Sequence, residues 1–160
     1  MRLAPVAPLA PDDLRAQLIG FSARRERWRG LVRHDPEERT YALLHRGPTS
    51  EIYVVSWMPG HDTGFHDHDQ SAAAIAVLEG TVLEDRLCLG GTVSDALPAG
   101  SLVTIPPSAI HRVRHGGDAP SVTMHAYSPP LERVGAYEVE PSGRLLRHAR
   151  AADVPLRAVA

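Results

Sequence analysis

The 160-residue chain has no lysine, and all 17 of its basic residues are arginines. A phosphate loop with its required lysine, a Schiff-base enzyme and a lysine-bound cofactor are therefore excluded. A single cysteine, Cys88, rules out an internal disulfide framework, a CxxC redox pair and a cysteine-based zinc finger. Nothing near Cys88 in the sequence is set to lower its pKa, so it is expected to be a small buried hydrophobe. No apolar run approaches the roughly 18 residues of a membrane span. The opening Met1-Arg2-Leu3-Ala4-Pro5 has no long apolar stretch before Pro8 and Pro11, which predicts a cytoplasmic protein without a membrane partner. The net charge is only -2, so despite the local cluster Arg24, Arg25, Arg27 and Arg29 there is no electrostatic footprint for nucleic acid.

What remains is 43% apolar and 22% charged, the make-up of a globular chain with room for one core and a short peripheral helix. Thirteen glycines and 14 prolines exceed the usual share and favour many turns between short strands. Residues 1–11 are small, apolar and Pro-containing, a loose lead-in to a single domain over 12–160. Asp12 and Asp13 after Pro11 mark a helix start, and Leu14, Leu18 and Phe21 follow at helical spacing, which predicts one helix over about 12–25. From Arg39 the texture changes to short apolar runs: Thr40 to His45, Ile52 to Trp57, Ala73 to Leu78, Thr81 to Leu89, Ser101 to Ile105 and Ser121 to Tyr127. Turn residues such as Met58-Pro59-Gly60, Gly90-Gly91 and Gly116-Gly117-Asp118 separate them, the spacing of an antiparallel barrel or sandwich.

Histidine is the informative residue, at nine copies. His66 and His68 stand two apart, a period that in a strand puts both rings on one face, where two imidazoles can share a metal. A second segment, Gly100 to Ile105 followed by Pro106-Pro107, ends a strand at a proline turn and presents His111 at the start of the next. The two segments together resemble the paired motifs of the cupin superfamily. Gly60, His66, His68 and Gly80 occupy places in the first motif, and Gly100, Pro106 and His111 occupy places in the second. Ala73 stands where the glutamate ligand of that superfamily would be, and Ser108 replaces a motif glycine.

Three histidines without the glutamate are the arrangement of the thiol dioxygenases. His111-Arg112-Val113 and the run Ser121 to Pro130, with His125-Ala126-Tyr127-Ser128-Pro129-Pro130, are similar to stretches of the cysteine dioxygenase family, and the likeness covers about residues 39 to 131. It implies an all-β fold, a small antiparallel cupin (jelly-roll) β-barrel with a short N-terminal helix. It further implies an Fe(II) ion on His66, His68 and His111, and a hydrogen-bonded relay of Thr123, His125 and Tyr127. The period of two agrees, since 123, 125 and 127 share a strand face that would be the barrel interior if Met124 and Ala126 face outward.

The implied activity is oxidation of a small thiol by O2 to its sulfinate, with L-cysteine first among substrates and 3-mercaptopropionate next. The chain would act as a monomer or homodimer. Another metal-dependent cupin enzyme, an isomerase or a carbon dioxygenase, and a non-catalytic small-molecule binder stay open, because a fold does not establish a function. Two departures bear on the substrate. Ala73 replaces the family's cysteine that links to the active-site tyrosine, so no thioether can form there. The family's carboxylate-binding arginine falls on Tyr41 or Leu43, neither of them a cation, although Arg39 shares their strand face. Substrate contacts are expected from Tyr41, Leu43 and Trp57, with Tyr53 as core or pocket wall. His61 belongs to the loop before the first motif. His34, His45, His115 and His148 are expected to be exposed or supporting, and Asp67 to sit on the surface, pointing away from the ligands beside it.

Overall fold

The structure is a computed structural model that describes residues 6–153 and Leu156. The first five residues of the expected lead-in and the end of the expected domain lie outside the described residues. Helix α1 spans Pro11–Ser22, α2 Arg25–Trp28, and a 3-10 turn follows at Arg29–Leu31. Among the described residues eleven strands come next: β1 Thr40–Arg46, β2 Glu51–Trp57, β3 His66–Asp67, β4 Ala72–Glu79, β5 Thr81–Cys88, β6 Gly91–Pro98, β7 Leu102–Ile105, β8 His111–Gly116, β9 Ser121–Ser128, β10 Arg133–Val139 and β11 Leu145–Ala151. They form two antiparallel sheets, in the orders β1-β2-β9-β4-β7 and β11-β10-β3-β8-β5-β6. The result is the expected all-β jelly roll with a short N-terminal helix. Its sheets face each other without joining into one closed ring.

The sequence of the five-stranded sheet follows from its position between two partners. On one face Ile52, Val54, Ala74, Ala76, Val122, Met124 and Ala126 meet Leu14, Leu18 and Trp28 of the helices. On the other face Val55, Trp57, Ala73, Ile75 and Val77 meet Val82, Leu97 and Val113 of the six-stranded sheet. Strands buried on both faces read as near-continuous apolar runs rather than as alternation, as β2 and β4 do. Met124 and Ala126 do turn away from the sheet-to-sheet interior, and α1 covers them.

The helix starts with Pro11 in its first turn, together with Asp12 and Asp13 at the positive end of its dipole. It stops at Ser22 rather than near residue 25. There the Trp28 indole N–H donates to the Ser22 carbonyl at 3.0 Å, satisfying an end group that a continued helix would have used itself. The lead-in is tied down at Leu9, whose N–H donates to Ser128 Oγ at 2.7 Å. Cys88 is exposed, contrary to expectation: it closes β5 opposite Gly91, at the tip of a hairpin turned by Leu89-Gly90. Among the described residues no helix is long and apolar enough to cross a membrane.

Candidate metal centre

His66 lies in β3 and pairs directly with His111, the first residue of β8, while His68 follows β3 in the loop toward β4. His66 and His68 therefore do not share a regular strand, yet their rings converge with that of His111. One ring nitrogen from each of the three lies within 4.8 Å of the others, and all three residues are buried. His68 Nε2 and His111 Nε2 are 3.4 Å apart, the separation of two nitrogens bonded about 2.1 Å from one ion at a tetrahedral angle.

Hydrogen bonds at the far side of two rings set which nitrogen faces the centre. His66 Nδ1 donates to the Gly64 carbonyl at 3.0 Å, and His111 Nδ1 donates to Glu84 Oε1 at 3.1 Å. Each bond places the ring proton on Nδ1 and leaves the Nε2 lone pair turned inward. Burial, then the neighbouring imidazoles, hold His66 and His68 well below the ordinary histidine pKa. Clustered, inward-turned ring nitrogens are the donor set that a cation satisfies, so the trio fits a metal.

Glu84 was not foreseen as part of this site. It is 2% exposed, opposes Val113 across the β5–β8 ladder, and holds an ion pair with Arg86 at 3.2 Å. Burial raises its pKa, but hydrogen bonds from His111 and Arg86 outweigh that and keep the carboxylate ionised. The signal was present in the period-2 pattern of β5, which puts Glu84 on the same face as the core residue Val82.

Across the interior, β9 presents Thr123, His125 and Tyr127 on one face. The Trp57 indole, which can only donate, gives its N–H to Thr123 Oγ1 at 2.8 Å. Thr123 Oγ1 lies 2.8 Å from His125 Nε2, and His125 Nδ1 lies 3.4 Å from the Tyr127 hydroxyl. In the tautomer with its proton on Nδ1, His125 accepts from Thr123 and donates to the Tyr127 oxygen, which leaves the Tyr127 O–H to donate into the site. Burial, then the charge of Arg39, lowers the His125 pKa to about 3. Burial raises that of Tyr127. The Tyr127 ring centroid is 5.1 Å from that of His68. Ala73 stands opposite Tyr127 in the β4–β9 ladder and offers only a methyl group there.

A cavity of about 430 Å³ opens onto His66, His125 and Tyr127. Tyr41, Tyr53 and Trp57 line it, as does Arg39, whose guanidinium carbon lies 5.0 Å from the Trp57 ring centroid. A cation thus does reach the pocket, two residues before Tyr41 and four before Leu43. Tyr41 sits at the rim, 43% exposed, and Leu43 is not among the lining residues and is 45% exposed. Both belong to β1, the edge of its sheet, where the inward face runs out toward solvent. Asp67 points away from the ligands as expected but is only 7% exposed, because β10 and β11 cover it. His61 lies in the loop, where its Nδ1 accepts the Met58 N–H at 3.0 Å. His34 and His148 are exposed; the His45 ring is tilted against that of Phe21, and His115 is bonded to Ala119 O.

Comparison with known proteins follows the same lines. A rat (Rattus norvegicus) cysteine dioxygenase type 1 is 22% identical over 138 residues, covering 79% of this chain and 69% of the relative. A Thermus thermophilus protein of known structure superposes with a TM-score of 0.58 at 22% identity over 64% of this chain and 93% of its own. An uncharacterised Klebsiella pneumoniae protein with a double-stranded β-helix domain superposes with a TM-score of 0.57 at 16% identity, covering 76% of this chain and 94% of its own. These two structures support the fold alone. Residues 10–97, more than half of the sequence, match the family Cysteine dioxygenase type I, and the chain belongs to that family.

Proposed function

We propose that the protein is an iron-dependent thiol dioxygenase that converts a small acid-bearing thiol, L-cysteine or 3-mercaptopropionate, to its sulfinate. The observation that carries this reading is the inward convergence of three imidazoles beside a cavity walled by an arginine and a half-buried tyrosine. Both oxygen atoms of O2 end on the sulfur, so the reaction consumes one thiol and one O2 and needs no further reductant. His66, His68 and His111 would hold the iron, which when bound would supply the redox chemistry by which O2 reacts with the thiol.

The protein residues then have separable tasks. Arg39 receives the carboxylate of the substrate, because an unpaired buried carboxylate is too costly to hold. Tyr127 donates its O–H into the site. Its raised pKa keeps it a phenol that can donate, and His125, itself held by Thr123 and Trp57, fixes the direction. The apolar walls Val55, Val113 and Val134 keep bulk water away from the reacting atoms.

Oxygen uptake by the iron-loaded protein, measured with a panel of thiols and matched to sulfinate by mass spectrometry, tests the reading. His111→Ala should abolish metal binding and oxygen uptake while the chain stays folded, and His45→Ala should change little. Metal binding with no turnover of any thiol would reject the enzymatic reading in favour of a binding protein.

A further inference from the structure

The strand carrying His66 is only two residues long, so backbone pairing alone fixes it weakly. It meets β8 through His66 opposite His111, and β10 through Asp67 opposite Gly135 and His66 opposite Ala136. The side chain of Asp67 supplies what the short ladder lacks. Its Oδ1 accepts N–H groups from Asp69 at 2.9 Å, Gly135 at 3.1 Å and Arg147 Nη2 at 2.9 Å. Its Oδ2 accepts the Tyr137 O–H at 2.5 Å and Arg147 Nε at 2.8 Å. Five donors saturate a carboxylate, and the two-pronged arginine contact fixes its plane as well as its place. Burial opposes ionisation of Asp67, but the bonds from Arg147 and Tyr137 hold its carboxyl well below the usual range.

Arg147 reaches Asp67 from β11, an edge strand whose residues are mostly exposed, by crossing over β10 at Gly135. A Cβ at position 135 would lie 2.3 Å from Arg147 Nε and 2.6 Å from Asp67 Oδ2, so only glycine leaves room for the crossing. Along the chain the Asp67 side chain points one way while the flanking His66 and His68 rings point the other. A turn of this segment about its axis would move both rings together, and anchoring Asp67 blocks that turn.

We infer that Asp67, gripped by Arg147 across Gly135, is a positioning residue that holds His66 and His68 at the spacing a metal needs. The hairpin β10–β11 is then part of the metal centre although it supplies no ligand. This inference rests on the metal reading of the three histidines given above.

The test is Co(II) titration of the metal-free protein, followed by its visible absorption and by competition with a chelator, with the metal-free melting temperature measured separately. Gly135→Ala displaces Arg147 without changing any charge, and Arg147→Lys keeps the charge but loses the two-pronged grip. Each should weaken Co(II) binding about tenfold or more. Leu18→Ala, remote from the site on the helix face, should lower the melting temperature yet bind Co(II) as the wild type does. Should Gly135→Ala fail to fold, Arg147→Lys alone decides. Wild-type affinity in the folded site variants, or an equal loss in Leu18→Ala, overturns the positioning role. A wild-type chain that binds no Co(II) overturns the metal reading itself, and the positioning role with it.

Discussion

Replacing Arg39 by methionine should separate recognition of the acid group from oxidation of the thiol. The guanidinium carbon lies over the Trp57 ring, 5.0 Å from its centroid, and the group also donates to the Leu156 carbonyl at 3.1 Å. Methionine preserves much of the apolar stem that packs there, so the change removes chiefly the charge and its donors. A charge-assisted hydrogen bond to a carboxylate contributes about 1.5 to 3 kcal/mol. At about 1.4 kcal/mol per factor of ten, that is a loss of roughly 10- to 140-fold in kcat/KM. The loss should fall on KM and appear with L-cysteine and 3-mercaptopropionate, whose carboxylates need the cation. Cysteamine, which has none, should be used by the variant within about twofold of the wild type, since it has no contact with the lost cation to forfeit. Oxygen-electrode kinetics with the three thiols side by side provide the measurement. Equal losses for cysteamine and the two acids would falsify the assignment and show that Arg39 supports the site in some other way.

Glu84→Gln keeps the shape beside His111 but removes the negative charge, and should weaken metal affinity about tenfold while leaving the fold intact. Calorimetric titration checks this, and unchanged affinity refutes it. Leu18→Ala empties a fully buried position against the outer face of the five-stranded sheet and should cost about 2 to 5 kcal/mol in urea unfolding. The metal-free protein should lose stability as the pH falls from 6.5 toward about 3, the ordinary and the folded-state values for His125. The unfolded chain takes up that proton first, so the stabilisation is complete above 6.5 and is lost through the window below it. Urea midpoints across that range should decline, more steeply than for His125→Gln; a flat wild-type profile contradicts the reasoning.

The parts of this molecule legible in the sequence are those governed by local pattern. His66, His68 and His111 stand beside glycines and prolines that mark the turns, and the period of two on β9 separates Thr123, His125 and Tyr127 from Met124 and Ala126. Two edge strands were not legible. Gly91 to Pro98 carries glycine, serine, aspartate and proline on a strand that is almost wholly exposed, and Leu-Leu-Arg-His-Ala-Arg-Ala of β11 has as much helical as strand preference. Only pairing with a neighbour makes them strands. The same blindness explains Asp67. Alternation directs it away from the ligands, which in an uncovered sheet means solvent, whereas here β10 and β11 lie over it. Arg39 had the right strand face, but its reach depends on Trp57 and on the chain at Leu156, which are 18 and 117 positions away.

The three converging histidines and the carboxylates bonded around them, Glu84 and Asp67, all ride on the six-stranded sheet or its loops, whereas Trp57, Thr123, His125 and Tyr127 ride on the five-stranded one. On the proposed reading, ion holding and proton placement are therefore borne by separate sheets whose alignment is set by the side chains packed between them, among them Ile75, Val82, Ile105 and Val113. A repacking of that layer that shifts one body over the other by a fraction of an ångström would leave the ion in place and carry the tyrosine hydroxyl off its target. Drift in turnover number at constant metal content is thus the form in which wear or adaptation of this layer would show itself, and natural variation there can retune the reaction without touching any residue that contacts the substrate.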